Sequence, residues 1–253
     1  MIPIFLDPKT VFSVPDADPD EIRIRTRSMR QPVLNQDEAP DPWAPFPVTP
    51  RLLQQVRRIT PEEMGRDDLP PGKRRQAEFQ AGRELAAALL ASLGSASTQV
   101  GVAKDRSPIW PDGYLGSISH SRRLVGVAIG RKREVRGIGI DIEAIANERE
   151  VEAIESVCMR PEERKMDPGA LTRAQFTTLL FSSKEAFYKC MHPLTRFEFD
   201  FTDVSLTRID PSSQRLEMQL VRTATPEFRQ GHLFHCGYQI GQGHVYTALE
   251  LGY

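Results

Sequence analysis

Two carboxylates stand two positions apart in residues 137–143, whose sequence is Gly-Ile-Gly-Ile-Asp-Ile-Glu. In an extended strand, successive side chains point to opposite faces, so Asp141 and Glu143 share one face with Gly139 while the isoleucines occupy the other. Two residues of strand span about 6.5–7 Å, which lets both carboxylates lean toward one hard cation beside the space that glycine leaves open. The spacing indicates half of a metal site, and the alternative is an edge strand with a solvated polar face.

A third carboxylate, Glu185, lies in a segment whose apolar side chains recur every three or four positions, which predicts a helix over residues 172–191. The buried side of that helix would consist of Phe176, Leu179, Leu180, Ser183, Phe187, Cys190 and Met191. Glu185 and Lys189 have the spacing of a surface ion pair worth about 0.3–0.5 kcal/mol. The alternative brings Glu185 to the strand that carries the other two carboxylates, with Lys184 and Lys189 beside bound phosphates.

Residues 116–121, Gly-Ser-Ile-Ser-His-Ser, are a candidate phosphate-binding segment. Glycine and small hydroxyl residues let backbone N–H groups and side-chain donors approach a phosphate closely. A histidine beside them donates a further hydrogen bond or, if charged, supplies a countercharge. This pattern selects Ser119 and His120, and the alternative is a strand end whose polar side chains are satisfied elsewhere in the protein.

A helix is predicted over residues 73–93, where alanines and leucines form an apolar stripe and Gly94 stands at the position of a C-terminal cap. Basic residues lie in the first turns of this helix, where positive charge opposes the helix macrodipole at a cost of a few tenths of a kcal/mol. Arg75 and Arg83 belong to this group, which indicates an anionic ligand or, alternatively, a solvated basic face. The loop that follows is rich in turn residues and carries Lys104 and Arg106.

Composition narrows the class of protein. The chain has 253 residues, 40% of them apolar and 26% charged, as in an ordinary globular protein of one large or two small domains. A net charge of −1 gives no reason to expect nucleic acid or an anionic membrane as a partner. The N-terminus lacks the features of a secretory signal and no run of about 18 apolar residues occurs, so a cytoplasmic location is expected. The three widely spaced cysteines fit reduced thiols.

Residues 1–50 differ from the rest of the chain because they contain ten of its twenty prolines. Regular helix is disfavoured where proline recurs this often. Apolar residues such as Phe5, Phe12 and Trp43 are nevertheless present, which predicts an irregular arm that packs over the main body. From residue 197 onward, apolar and polar residues alternate as in strands, and residues 245–251 form the last of these.

Three sequence blocks occur in order along the chain: Trp-Pro-Asp-Gly-x-x-Gly-Ser-Ile-Ser-His at 110–120, Gly-Ile-Asp-Ile-Glu at 139–143 and Phe-Ser-Ser-Lys-Glu-Ala-Phe-Tyr-Lys at 181–189. Together they resemble the 4′-phosphopantetheinyl transferases of the surfactin and enterobactin synthetase type. The Lys-Arg-Arg-x-x-Glu-Phe-x-x-Gly-Arg segment at 73–83 and a Pro-Leu-Thr turn at 193–195 extend the resemblance. It covers the chain from about residue 73 to residue 203.

The resemblance implies an α/β (α+β) fold of two similar halves related by a pseudo-twofold axis, each with a helix on a small antiparallel sheet. Residues 51–145 would form the N-terminal half and residues 146–253 the C-terminal half, with residues 1–50 as the arm. Coenzyme A, the co-substrate, would donate its 4′-phosphopantetheine group to a serine of an apo acyl or peptidyl carrier protein. The reaction would require Mg²⁺ and release adenosine 3′,5′-bisphosphate. A monomer without nucleic acid or membrane partners is expected.

Position by position, the resemblance gives each candidate residue a role. The Mg²⁺ ligands would be Asp141, Glu143 and Glu185. The coenzyme A contacts would be Arg75, Arg83, Lys104, Arg106, Ser119, His120, Lys184 and Lys189. Glu185 would act as the general base for the carrier serine, directly or through a metal-bound water, with Glu143 as the alternative base. Lys189 would offset charge on the transferring phosphate.

Two other functions use the same residues. A metal-dependent phosphohydrolase acting on nucleotides would replace the carrier serine by water, although the chain has neither a Nudix-like nor a P-loop signature. A non-catalytic module would bind coenzyme A or a carrier protein without transferring anything, although all three carboxylates are present. Replacing Glu185 separates a binding module from a transferase, since only the transferase needs it for turnover.

Overall fold

The computed structural model describes residues 46–60, 63 and 71–253. The predicted N-terminal arm lies outside these residues, apart from its last five positions. Within those five, Phe46 is buried and lies edge to face against Tyr246, with ring centroids 5.9 Å apart. The described part of the chain therefore contributes to a core from its first residue.

The first sheet has three antiparallel strands in the order β1, β5, β4 and is covered on one face by a helix, α1. These elements are β1 (Leu53–Arg58), α1 (Pro71–Ser92), β4 (Tyr114–Ser121) and β5 (Leu124–Arg131). A two-stranded ribbon stands between α1 and β4 in the chain and comprises β2 (Gly101–Val102) and β3 (Pro108–Ile109). Alanines and leucines of α1 pack against valines and isoleucine of β5, so the predicted apolar stripe faces the sheet.

The second sheet has five antiparallel strands in the order β6, β10, β9, β8, β7. Its strands are β6 (Gly137–Ala144), β7 (Val204–Asp210), β8 (Arg215–Leu220), β9 (Leu233–Gly241) and β10 (His244–Leu251). Between β6 and β7 the chain forms α2 (Glu148–Cys158) and α3 (Arg173–Thr195). α3 begins at a capping box, in which the side chains of Thr172 and Gln175 each accept a hydrogen bond from the other residue's backbone N–H. It packs chiefly on β6 and β10.

The end of α3 differs from the sequence prediction. A turn was predicted at residues 193–195, but these residues, including Pro193, form the last turn of the helix. Thr195 Oγ1 donates to the Met191 carbonyl at 2.9 Å, and the N–H of Arg196 closes the helix in a left-handed conformation at φ 54°. These hydrogen bonds satisfy two carbonyls of the last helical turn, those of Met191 and His192.

The predicted fold class is confirmed, since helices lie on small antiparallel sheets. The helices predicted over residues 73–93 and 172–191 correspond to α1 and α3. β6 falls within the N-terminal half predicted at residues 51–145, yet it pairs with β10 in the second sheet. The division between the sheets therefore lies between β5 and β6. No helix among residues 46–60, 63 and 71–253 has the length and apolar character needed to cross a membrane.

The two sheets meet along β4 and β6, each of which is an edge strand of its own sheet. β4 carries Ser119 and His120, and β6 carries Asp141 and Glu143. Their contact brings the predicted phosphate-binding segment beside the predicted metal-binding strand. α3 then places Glu185 over β6 from the other side.

Candidate active site

Asp141 is the centre of the hydrogen-bond network and is only 2% exposed. Its Oδ1 accepts from Lys189 Nζ at 2.6 Å and from Ser119 Oγ at 2.9 Å, and its Oδ2 accepts from Ser182 Oγ at 2.8 Å. A buried carboxylate is tolerated when its oxygens are paired and hydrogen-bonded in this way. The predicted strand alternation is observed, because Ile140 and Ile142 are fully buried on the opposite face.

Glu143 and Glu185 have perturbed pKa values for the same reasons. Burial raises the pKa of Glu143 well above its usual range, and the charges of Asp141 and Glu185 raise it further against the opposing charge of Lys189. Burial also raises the pKa of Glu185 to about 6, with Lys189 lowering it and Asp141 raising it. The three carboxylates therefore interact electrostatically, as expected if the helix brings Glu185 to the strand that carries Asp141 and Glu143.

Lys189 is the cation that faces these carboxylates. Burial lowers its pKa, but the charges of Asp141, Glu185 and Glu143 outweigh burial, and the net pKa is raised. The ammonium group is therefore held in its charged form. The closest anionic partner of Lys189 is therefore Asp141 on β6, 2.6 Å away, rather than Glu185 one turn earlier on α3.

The donor set suits a hard divalent cation in its chemistry. Oxygen ligands of this kind bind Mg²⁺. Burial and, after it, the charges of neighbouring carboxylates raise the pKa values of Glu143 and Glu185, and a bound cation would offset both effects. In the described part of the chain, however, no three acidic, histidine or cysteine side chains are grouped as a metal-binding shell. Lys189 is instead the immediate partner of Asp141 Oδ1.

Glycines of β6 determine how closely α3 approaches the strand. A Cβ atom on Gly137 would lie 2.8 Å from Leu194 Cδ1 and 2.9 Å from Cys190 Sγ, and Gly139 faces the helix backbone itself. The space predicted beside Gly139 is therefore filled by α3 rather than by a ligand. This close packing is what brings Glu185 and Lys189 to the carboxylates of β6.

His120 lies at the other edge of the site, with its Nδ1 3.4 Å from Glu78 Oε2. Burial lowers the pKa of His120 to about 4, and nearby Lys189 and Arg75 lower it further against Asp141. The imidazole is therefore neutral at pH 7 in the free protein. Glu78 was not among the predicted residues, although an acid between Arg74 and Arg83 on a basic helix was a signal for it.

Two side chains predicted to contact coenzyme A, those of Ser119 and Lys184, have hydrogen-bond partners within the protein. The Ser119 hydroxyl is 3% exposed, donates its one proton to Asp141 and accepts from Ile142 N at 3.1 Å and Lys189 Nζ at 3.2 Å. Its hydrogen-bonding capacity is filled within the protein. Lys184 is buried on the side of α3 away from β6, where Nζ donates at 2.8 Å to Glu163 and at 2.8 Å to the Cys158 carbonyl.

The remaining basic residues lie on α1 and in the turn between β2 and β3. Arg75 is exposed near His120. Arg83 donates to the Gly101 carbonyl at 2.9 Å and lies over the Phe79 ring at 4.8 Å, and burial lowers its pKa. Two further basic side chains are exposed in the turn between β2 and β3, namely Lys104 and Arg106. Arg75 thus lies near His120, whereas Lys104 and Arg106 lie in the ribbon and Arg83 contacts it.

Comparisons with known proteins agree with this architecture. The model of the 4′-phosphopantetheinyl transferase N-terminal domain matches residues 71–130, and that of the 4′-phosphopantetheinyl transferase superfamily matches residues 137–247. The gap between the two matches coincides with the division between the two sheets.

Several characterised relatives match the same region. The 4′-phosphopantetheinyl transferase Svp of Streptomyces mobaraensis is 31% identical over 182 residues, which cover 70% of this chain and 73% of Svp. PptT of Mycobacterium tuberculosis is 32% identical over 53% of this chain and 59% of its own length. Enterobactin synthase component D of Salmonella typhimurium is 37% identical over 47% of this chain and 49% of its own. The chain thus spans less than two thirds of the latter two relatives.

The fold and the site define an enzyme in which a carboxylate cluster and a lysine stand between two α/β units. The chain belongs to the 4′-phosphopantetheinyl transferase superfamily. The predicted family and enzyme class are therefore confirmed.

Proposed function

We propose that this protein transfers the 4′-phosphopantetheine group of coenzyme A to a serine of an apo acyl or peptidyl carrier protein and releases adenosine 3′,5′-bisphosphate. The observation that carries this proposal is the convergence of Asp141, Glu185 and Lys189 at the junction of β6 and α3. Membership of the transferase superfamily and the names of its relatives support the choice of reaction.

The reaction needs compensation of negative charge. The carrier serine oxygen attacks the β-phosphorus of the diphosphate while the bond from that phosphorus to the leaving oxygen breaks. Lys189, held in its charged form beside Asp141, offsets charge that develops on the transferring phosphate. Asp141, Glu143 and Glu185 would hold Mg²⁺, which supplies further charge neutralisation when bound.

The serine proton must also be removed. Glu185 is the general base in this proposal because burial raises its pKa to about 6, which makes it a stronger base than an ordinary carboxylate while still ionised near pH 7. Glu143 is the alternative base, and burial, followed by the charges of Asp141 and Glu185, raises its pKa further above the usual range than that of Glu185. The carboxylate on α3 therefore suits the base role better than the one on β6.

Coenzyme A would lie along the first sheet. We assign its phosphates to His120 and Arg75, which lie near one another, and its nucleotide end to Arg83, Lys104 and Arg106. A bound phosphate would favour a proton on His120, whose other neighbour is the Glu78 carboxylate. The three free and buried thiols support a reducing compartment, for which we propose the cytoplasm, and we propose a monomer.

The intact mass of an apo carrier protein tests the proposal after incubation with this protein, coenzyme A and magnesium. A mass increase of one phosphopantetheine group, lost when a chelator is added, is the expected result. Coenzyme A consumed without any mass increase would indicate the phosphohydrolase, and coenzyme A bound but unchanged would indicate the binding module. Size-exclusion chromatography with light scattering tests the monomer.

A further inference from the structure

Three serines alternate along β4 and join it to β6 through their side chains. The hydroxyl oxygens of Ser117, Ser119 and Ser121 accept hydrogen bonds from the backbone N–H groups of Ile140, Ile142 and Ala144, each at 3.1 Å. We call these three residues the serine seam. Because the spacing is two on both strands, every bond comes from the same face of β4.

The seam provides hydrogen-bond acceptors for backbone N–H groups that would otherwise be unpaired where two sheet edges meet inside the protein. An edge strand presents unpaired N–H groups, and a buried N–H without a partner costs about 1–3 kcal/mol. The seam serines are all less than a tenth exposed, so water does not serve these groups. Each hydroxyl takes the place of a backbone carbonyl, which leaves its proton available for a second contact.

That second contact distinguishes the members of the seam. Ser119 directs its proton to Asp141 Oδ1 at 2.9 Å and accepts from Lys189 Nζ at 3.2 Å. Ser121 reaches Glu143 Oε2 at 3.4 Å. Ser117 contacts the backbone of β6, and within the described residues its hydroxyl forms no hydrogen bond to a carboxylate.

We propose that Ser119 is a positioning residue that fixes the Asp141 carboxylate and the Lys189 ammonium from the first sheet. Ser121 acts in the same way on Glu143, more weakly because its contact is longer. The seam thereby couples the coenzyme A side of the protein to the carboxylate cluster. This inference rests on the proposed function, and it assigns Ser119 to the orientation of the cluster rather than to contact with a phosphate.

Ser117 provides a matched control. Ser117→Ala and Ser119→Ala each remove one hydroxyl and the hydrogen bond that it accepts from a β6 N–H. Only Ser119→Ala also removes a hydrogen bond from Asp141 Oδ1 and one from Lys189 Nζ, which then keep only each other and Ser182 among these partners. Removing a group that orients a metal ligand typically reduces metal affinity or activity about 10–100-fold.

The experiment compares the full-length wild type with Ser117→Ala, Ser119→Ala and Ser121→Ala. Mg²⁺ is titrated calorimetrically in the presence of coenzyme A, and kcat and KM for coenzyme A are then measured with an apo carrier protein. We expect Ser119→Ala to weaken Mg²⁺ binding and lower kcat about 10–100-fold with KM nearly unchanged, Ser121→Ala to have a smaller effect, and Ser117→Ala to match the wild type in both.

Equal Mg²⁺ affinity and kcat for Ser117→Ala and Ser119→Ala would overturn the inference, as would a wild type that binds no Mg²⁺. If Ser119→Ala fails to fold, the Mg²⁺ affinity and kcat of Ser121→Ala are compared with those of Ser117→Ala, because Ser121 contacts Glu143 whereas Ser117 does not. A wild type that binds Mg²⁺ but transfers nothing would defeat the proposed function alone. The difference in Mg²⁺ affinity between the variants would still test the positioning role.

Discussion

A Cβ atom on Gly139 would overlap the backbone carbonyl oxygen of Ala186, so strand β6 and helix α3 are in direct backbone contact at this point. Gly139 precedes Asp141 by two residues on the strand, and Ala186 directly follows Glu185 on the helix, so this contact joins the two segments that carry the carboxylates. Because backbone atoms cannot rotate away as a flexible side chain does, any side chain at position 139 must displace the helix.

Gly139→Ala should therefore damage both stability and activity. Overpacking of a core typically costs about 1–3 kcal/mol, and we expect the upper end of that range with a strong loss of kcat because Glu185 and Lys189 move with α3. Chemical denaturation and a carrier-modification assay measure the two effects. Gly241→Ala is the control, since a Cβ there meets nothing within 4 Å. Equal stability and equal kcat for Gly139→Ala and Gly241→Ala would contradict the close packing of β6 against α3.

The buried ion pair between Lys184 and Glu163 is predicted to be structural. Both side chains are fully buried, and Glu163 also accepts from the backbone N–H groups of Arg160 and Leu206 at 2.7 Å each. Lys184→Met leaves the carboxylate unpaired and should cost about 3–5 kcal/mol in the free energy of unfolding.

The double variant Lys184→Met/Glu163→Gln should recover part of that loss, because no buried charge remains without a partner. Urea denaturation of both single variants and the double variant measures the coupling. If Lys184→Met were as stable as the wild type but bound coenzyme A weakly, the phosphate contact that the resemblance implied would be right after all.

Glu78 should make stability depend on pH. Burial raises its pKa from 4.5 to about 6, against the charges of Arg74 and Arg75, and His120 is its nearest neighbour on β4. Because the folded state binds the proton more tightly, this stabilisation is full below about pH 4.5 and is lost as pH rises to about 6.

Glu78→Gln does not titrate, so its free energy of unfolding should rise relative to that of the wild type between pH 4.5 and 6 and then stay constant. Thermal or urea unfolding across this range measures the difference. Glu84→Gln, on the same helix with its side chain 53% exposed, is the control. A difference between Glu78→Gln and the wild type that does not change with pH would refute the assignment.

Lys189→Met should lower kcat about 10²–10³-fold, the usual loss when one donor that stabilises developing charge is removed. The substitution also leaves Asp141 without its closest partner, so cation binding becomes the principal compensation for its charge. Turnover of an apo carrier protein measures the effect. Lys165→Met, at an exposed position, should behave as the wild type, and comparable kcat values for both variants would exclude Lys189 from the chemistry.

Local patterns sufficed to predict the elements that build the site. Alternation in residues 137–143 defined β6, and the i, i+3, i+4 spacing defined α3, because both patterns record burial of one face. The helix pattern left Glu185 either in a surface ion pair with Lys189 or beside the strand of Asp141, and only the family resemblance chose between the two. The strand ends at Ala144 and the helix begins at Arg173, and periodicity carries no information about which faces of such distant segments meet.

Other features of the site depend on contacts that no local pattern shows. Lys184 and Lys189 are both lysines on one helix, but Glu163 comes from a short 3₁₀ turn elsewhere and holds the first of them in the core. The hydrogen-bonding capacity of the Ser119 hydroxyl is used within the protein because β4 lies against β6, a contact between two sheets. Side-chain chemistry alone suggested phosphate ligands at both positions.

The central claim is that Glu185 takes part in phosphopantetheine transfer rather than only in binding. The most direct measurement compares the intact mass of an apo carrier protein after incubation with wild type or Glu185→Gln, coenzyme A and magnesium, with coenzyme A binding measured in parallel. We predict that Glu185→Gln binds coenzyme A but leaves the carrier mass unchanged during the time in which the wild type converts it. Conversion by Glu185→Gln at the wild-type rate would contradict the claim.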